Sequence, residues 1–254
     1  MLSIAERHKF ILDSLKKNGF VKVNDIALKL DVTPATIRND LKSLEAKKLL
    51  YRTHGSASPI NPITVDREVE VKEKFHIEEK KQIAIEACKL IEDNDSIIIG
   101  SGSTVYTLAE QIPSNLKLTV VTTSPKISIL LYKSPNIDVV QLGGTIRKNS
   151  LSVIGDYTNL FFNDVTCSKL FLGVDGIDLE YGVTNSNMEE AILNKRMIDS
   201  SLRTIILSDS SKFGRRGFGR VCSLDKIDVI ITDSGIPAEM AKAIEDIGIE
   251  LIIV

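Results

Sequence analysis

Seven short apolar runs constrain this chain more than any other feature. They are Ile97–Ile99, Leu118–Val121, Ile137–Val140, Leu170–Leu172, Thr204–Leu207, Val229–Ile231 and Ile249–Ile253. Each is three to five residues long and rich in β-branched side chains, which suits strands. Helical patterns fall between them, at about 104–111, 125–132, 156–163, 187–201 and 237–246. Alternation of this kind predicts an α/β domain on a mainly parallel sheet.

The N-terminal part follows a different plan. Ile4 to about Lys17 reads as a helix with Ile4, Ile11, Leu12 and Leu15 inward, stopped by Asn18-Gly19. Phe20–Val23 is a short extended piece. Asn24–Leu30 reads as a helix capped by Asn24, with Ile26, Ala27 and Leu30 facing the core. After the tight Asp31-Val32 connection, Thr33 supplies an N-cap and Pro34 a first helical residue. Ile37, Leu41 and Leu44 then form one apolar stripe, while Ala35, Arg38, Asn39, Lys42 and Ala46 fall on the opposite side.

Two helices joined so closely, over about 23–45, make a helix-turn-helix whose second helix suits the major groove. Arg38 could bond a guanine edge and Asn39 an adenine edge, while Lys42, Thr33 and Thr36 suit phosphates. Leu49–Ala57 then alternates and turns near Gly55 as a small hairpin would. A hairpin there makes a winged helix, with Arg52 and His54 placed to touch phosphate or the minor groove. Charge agrees with a polyanion partner. Residues 1–58 carry eleven Lys and Arg against six Asp and Glu, a balance of +5 in a chain of formal charge −2, so the remainder carries −7.

The expected division is a winged helix-turn-helix at 1–58, a linker at 59–75 and a ligand-sensing domain at 76–254. Ser58-Pro59-Ile60-Asn61-Pro62 opens the linker, because Pro removes backbone donors and disfavours helix before it. A strongly charged helix is expected from Val69 to about Ile91.

Composition narrows the classes. Cys88, Cys167 and Cys222 are far apart with no CxxC spacing, and His8, His54 and His76 do not cluster with carboxylates. Neither a disulfide framework nor a metal site is expected, and no cofactor. No signal peptide or membrane-spanning run is visible, so the expectation is a soluble cytosolic protein.

Several strand ends are small and polar, and ligands of such sheets gather there. Gly100-Ser101-Gly102-Ser103-Thr104 precedes a helix, where glycines, hydroxyls and a helix N-terminus favour an anion. It is neither a P-loop nor a full dinucleotide fingerprint, since Val105 stands where the third Gly belongs. The phosphate of a small ligand fits it better than a dinucleotide. Thr122-Thr123-Ser124, Gly143-Gly144-Thr145, Gly173–Asp178 and Ser208–Gly214 end four further strands. Convergence of these loops would put Lys212 beside a phosphate and Asp175 beside a sugar hydroxyl.

These motifs resemble the DeoR family of bacterial transcription regulators. Thr33-Pro34-Ala35-Thr36-Ile37-Arg38-Asn39-Asp40-Leu41 resembles its Ser-x-x-Thr-Ile-Arg-Arg-Asp-Leu recognition helix. Leu50-Tyr51-Arg52-Thr53-His54-Gly55-Ser56 resembles its Leu-x-Arg-x-His-Gly-Gly wing. Leu142–Arg147 and Asp209–Gly214 match its Leu-Gly-Gly-x-x-Arg and Asp-x-Ser-Lys-Phe-Gly motifs in full. Gly100, Ser103 and Thr123 replace the family's Asp, Thr and Asn, and Asn39 replaces its second Arg. The resemblance implies a repressor of a carbohydrate operon, with double-stranded operator DNA and a phosphorylated sugar effector as partners. A homodimer or homotetramer is expected. The effector contacts implied are Ser101, Gly102, Ser103, Thr104, Thr122, Thr123, Ser124, Gly143, Gly144, Asp175 and Lys212.

The same loops resemble ribose-5-phosphate isomerase, whose fold the DeoR effector domain shares. An aldose–ketose isomerase needs a carboxylate base and a cation at the enediolate. Asp175 and Asp178 are present, but Glu180–Asn187 lacks the isomerase's Lys and glycine run. Regulation is therefore expected rather than catalysis.

Overall fold

A computed structural model describes residues 2–18, 21–47, 49–53, 56–59 and 66–254. The chain divides into two compact units, Met1–Pro62 and Ile63–Val254.

The first unit contains α1 (Ile4–Asn18), β1 (Val21–Lys22), α2 (Val23–Leu30), α3 (Pro34–Ala46), β2 (Leu50–Thr53) and β3 (Ser56–Pro59). Strands β2 and β3 form an antiparallel hairpin with Leu50 opposite Pro59 and Thr53 opposite Ser56, and β1 joins on the β3 side. The arrangement is a winged helix. Its core gathers Ile11, Leu15, Val23, Ile26, Ala27, Ile37, Leu41, Leu44, Leu50 and Ala57. Three local expectations need correction. Ile4 is 62% exposed and stands outside the core. Asn24 is not a cap, since α2 starts at Val23, which is buried, and Lys22 is its N-cap residue. Ser58 and Pro59 belong to β3 rather than to a linker.

The second unit follows as α4 (Val69–Glu73), α5 (Ile77–Cys88), β4 (Ser96–Ile99), α6 (Ser103–Gln111), β5 (Leu118–Thr122), α7 (Pro125–Leu131), β6 (Ile137–Gln141), β7 (Thr145–Arg147), β8 (Ser152–Ile154), α8 (Asp156–Phe161), β9 (Lys169–Gly173), β10 (Gly176–Asp178), β11 (Gly182–Asn185), α9 (Met188–Asp199), β12 (Thr204–Leu207), β13 (Gly219–Cys222), β14 (Val229–Thr232), α10 (Ala238–Asp246) and β15 (Glu250–Ile253). All seven apolar runs become strands of one sheet, ordered β15-β14-β12-β9-β4-β5-β6, and every pairing in it is parallel.

Period-2 alternation gives this sheet two cores. Ile98, Leu170, Leu172, Ile206 and Ile230 pack on one face with α9 residues such as Ala191 and Met197. Ile97, Ile99, Phe171, Ile205, Leu207 and Ile231 pack on the other with Ile83, Leu108 and Ile127. A strand buried on both faces reads as a continuous apolar run, which is why the central strands β4, β9, β12 and β14 lack polar alternation.

The expected single helix over 69–91 is two helices. His76, at φ 54, breaks them and stands as the left-handed N-cap residue of α5. Among the described residues no helix is long and apolar enough to cross a membrane.

Candidate functional site: an anion cradle at the strand-order reversal, and a recognition helix

In the large sheet, β5 and β6 extend the sheet on one side of β4, while β9 and later strands extend it on the other. Connections from β4 and β9 therefore leave in opposite directions and open a crevice between their C-terminal ends, the usual ligand position in open α/β sheets. The loop after β4 borders that crevice. Gly102 caps α6 at φ 127, and a Cβ built on it would meet nothing within 4 Å, so backbone conformation demands glycine there. The hydroxyls of Ser101, Ser103 and Thr104 have no hydrogen-bond partner among the described residues. With the first N–H groups of α6, they present donors to an anion. A Cβ at Gly100 would come within 2.8 Å of Leu172 Cδ1, so a larger residue there would require that side chain to shift.

Asp175 follows β9 and is buried. Its Oδ1 takes Lys72 Nζ at 2.7 Å, and its Oδ2 accepts from Ser186 N at 2.9 Å and Ser186 Oγ at 2.5 Å. Burial works against its charge, but Lys72 and Lys212 outweigh that and hold the carboxyl far below the usual range. Asp209, after β12, is also buried. Lys212 and His76 overcome its burial and hold it at about 2, with His76 Nε2 at 3.9 Å. Lys80 donates to Lys72 O at 2.5 Å and Phe75 O at 2.7 Å, and burial pulls its pKa down to about 8. Burial also lowers the pKa of Lys212, against the pull of Asp209. Lys212 donates no hydrogen bond to any described residue. Three lysines thus converge with two carboxylates, and Lys212 keeps its donors for an anion.

Lys72 and Lys80 fall in the charged helix expected over 69–91, and nothing in their local sequence marks them as site residues. The segment 66–76 is in fact a strap across the strand ends. Asp66 pairs with Arg147 and accepts from Asn149 Nδ2 at 2.9 Å, and Val69 N donates to Asn149 O at 2.6 Å.

The other expected contacts lie differently. Thr122 Oγ1 accepts from Ser124 N, Ser124 Oγ caps α7 through Ile127 N, and Thr123 Oγ1 takes Ser152 Oγ at 3.3 Å. These three side chains are buried and committed within the protein, so they shape the loop rather than face a ligand. Gly143 and Gly144 follow β6, two strands from β4 and so about 10 Å from it. A Cβ at Gly144 would lie 2.5 Å from Ile154 O, and Gly143 O accepts from Thr158 Oγ1 at 2.7 Å. Close packing against β8 explains Gly144, whereas a Cβ at Gly143 would meet nothing within 4 Å. Asp178 pairs with Arg216 at 2.9 Å and accepts from Tyr181 N at 2.8 Å, so neither Asp175 nor Asp178 is left as an unengaged base.

In the first unit, Thr33 caps α3 by accepting from Thr36 N at 3.2 Å, and the two hydroxyls are 2.9 Å apart. Ala35, Arg38, Asn39 and Lys42 form an exposed face opposite Ile37, Leu41 and Leu44. Asp40, inside the same motif, is buried and bonds Arg7 Nε at 2.7 Å and Arg7 Nη2 at 3.0 Å. It fixes the helix and reads nothing. Arg52 in β2 pairs with Glu45 of α3 at 2.5 Å, so its guanidinium is partly neutralised. His54 lies outside the described residues.

A family model, the DeoR-like helix-turn-helix domain, matches residues 7–62, and a second, the DeoR C terminal sensor domain, matches 75–234. The chain belongs to the DeoR family of transcriptional regulators. Among DeoR relatives, the HTH-type transcriptional regulator YulB of Bacillus subtilis is 36% identical over 96% of this chain and 94% of its own length. The lactose phosphotransferase system repressor of Staphylococcus epidermidis is 36% identical over 87% of this chain and 88% of its own. GlpR of Haloferax volcanii, an HTH-type transcriptional regulator, is 30% identical over 98% and 97%. Among solved structures, ribose 5 phosphate isomerase A from Neisseria gonorrhoeae aligns with a TM-score of 0.39 at 22% identity, over 54% of this chain and 53% of that one.

Proposed function

We propose that this DeoR-family protein represses a sugar catabolic operon and is released from its operator by a phosphorylated sugar. The exposed Ala35, Arg38, Asn39 and Lys42 face supports operator reading. The observation that carries the effector half is the lysine cluster of Lys72, Lys80 and Lys212 around Asp175 and Asp209, beside the unpaired hydroxyls of Ser101, Ser103 and Thr104. Phosphate fits the hydroxyls, the α6 N-terminus and the lysines; Asp175 and its neighbours suit sugar hydroxyls. The naming of a relative as a lactose phosphotransferase system repressor agrees with a sugar-responsive role.

The protein works as a symmetric homo-oligomer, a dimer or tetramer, because one helix-turn-helix seldom suffices for tight operator binding. The effector acts through its differential affinity for the operator-bound and released forms, typically about 1–3 kcal/mol of coupling. The test is thermal stability against sugar phosphates, each paired with its unphosphorylated sugar. A ligand at a hundred times its dissociation constant adds about 2.7 kcal/mol. A phosphate-dependent shift, followed by operator release with the same compound, supports the reading. Shifts with unphosphorylated sugars alone would refute it, and product formation would show an isomerase.

A further inference from the structure

Glu190 sits in the first turn of α9 and is 6% exposed. Its Oε2 accepts from Arg147 Nη1 at 3.5 Å, a long contact. Its Oε1 is buried and has no hydrogen-bond partner among the described residues. A buried carboxylate oxygen without a donor is costly, and native proteins rarely leave one without a reason. Burial raises the pKa of Glu190, with Ser150 and Arg147 pulling it back and Asp175 adding to the rise.

The place of this oxygen supplies the reason. Arg147 joins Glu190 to Asp66, Asp66 Oδ1 takes Ser186 Oγ at 3.4 Å, and Ser186 holds Asp175. Glu190 thus closes a polar chain that runs into the Lys72–Asp175 corner, and its charge is felt by Lys72. Among the described residues its Oε1 is the one fully buried carboxylate oxygen without a hydrogen-bond partner. We propose that Glu190 is a specificity-determining residue, whose free Oε1 accepts a hydrogen bond from one hydroxyl at the sugar end of the effector. Oε1 is buried, so the assignment requires the Arg147–Asp66 pair to open when the ligand enters. This assignment rests on the phosphorylated-sugar reading above. Phosphate, an anion, is repelled by Glu190 and belongs with the lysines and the α6 N-terminus. Glu190 therefore reads which sugar carries the phosphate.

The experiment titrates full-length wild type, Glu190→Gln and Glu190→Ala with inorganic phosphate and with hexose 6-phosphates, pentose 5-phosphates and their monodeoxy analogues. Inorganic phosphate reports a folded anion cradle in each variant. The expected result is a fall of about ten- to a hundredfold in the ratio of sugar-phosphate to inorganic-phosphate affinity in Glu190→Ala, the usual range for a hydrogen bond to a charged group. Wild type should discriminate against one monodeoxy analogue, and Glu190→Ala should not. An unchanged ratio in both variants, with sugar phosphates still binding wild type, overturns the role of Glu190 alone. Binding of inorganic phosphate but no sugar phosphate by wild type overturns the effector reading and the Glu190 assignment with it.

Discussion

Lys72 and Asp175, 103 residues apart in sequence, meet at 2.7 Å in the crevice of the second unit. The contact ties the strap 66–76 to the end of β9. Any ligand that takes hydrogen bonds from Lys72, or gives them to Asp175, competes with this pair. Removing one partner leaves a buried charge, at a cost of roughly 3–5 kcal/mol, whereas removing both costs less than the sum. Urea unfolding of Lys72→Met, Asp175→Asn and the double variant should show that non-additivity. Strict additivity would mean the pair contributes nothing.

Replacing Lys212 tests the effector cation. Lys212→Met should weaken sugar-phosphate binding and shift operator release to higher effector concentrations, as read by gel shift across an effector titration. Loss of folding, detected by melting, would assign Lys212 a structural role instead.

Arg38 and Arg7 should part company in DNA binding. Arg38→Ala removes an exposed donor and should cost about 1–3 kcal/mol at one operator base pair, leaving the melting curve unchanged. Arg7→Ala leaves Asp40 buried beside His8 without its guanidinium, so melting temperature and affinity should fall together. Footprints of the two variants on one operator series decide it.

Asp209 makes stability depend on acid. Its folded pKa of about 2 lies below the ordinary 3.8, so its contribution is complete above about pH 4 and is lost as pH falls towards 2. About 2 kcal/mol is at stake. The stability gap between wild type and Asp209→Asn should therefore narrow over that window. A constant gap would show that Asp209 is not held ionised by its neighbours.

Lys80 should set an upper pH limit on effector binding. With its pKa near 8 it loses its proton as pH rises through that value, and an anion favours the protonated form. Sugar-phosphate affinity should drop between about pH 7.5 and 9, and Lys80→Arg, which stays charged, should flatten the drop.

What the sequence made legible follows from the range of each interaction. The sheet strands were readable because runs such as Ile97–Ile99 and Ile205–Leu207 are apolar throughout, a local property. Thr33 was readable as a cap because its partner, Thr36, is three residues away. Strands β7, β8, β10, β11 and β13 are short and include residues such as Arg147, Asp178 and Arg220, so no apolar run marked them. Lys72 and Lys80 looked like solvated charges because their partners, Asp175 among them, are distant in sequence or are backbone carbonyls. Thr122–Ser124 looked like ligand donors because a hydroxyl spent on its own turn reads like one left free.

The central strands β4, β9, β12 and β14 point their side chains into the two cores, and the groups around the crevice stand on the connections that follow or precede them. Chemistry and scaffold are thereby separable. Under the proposed effector reading, a change at Ser101, Glu190 or Lys212 would alter what is sensed without creating a void among Ile98, Phe171 and Ile205. On that reading such a protein could be re-tuned from one metabolite to another by exchanging residues around the crevice, with the load of holding the fold carried elsewhere.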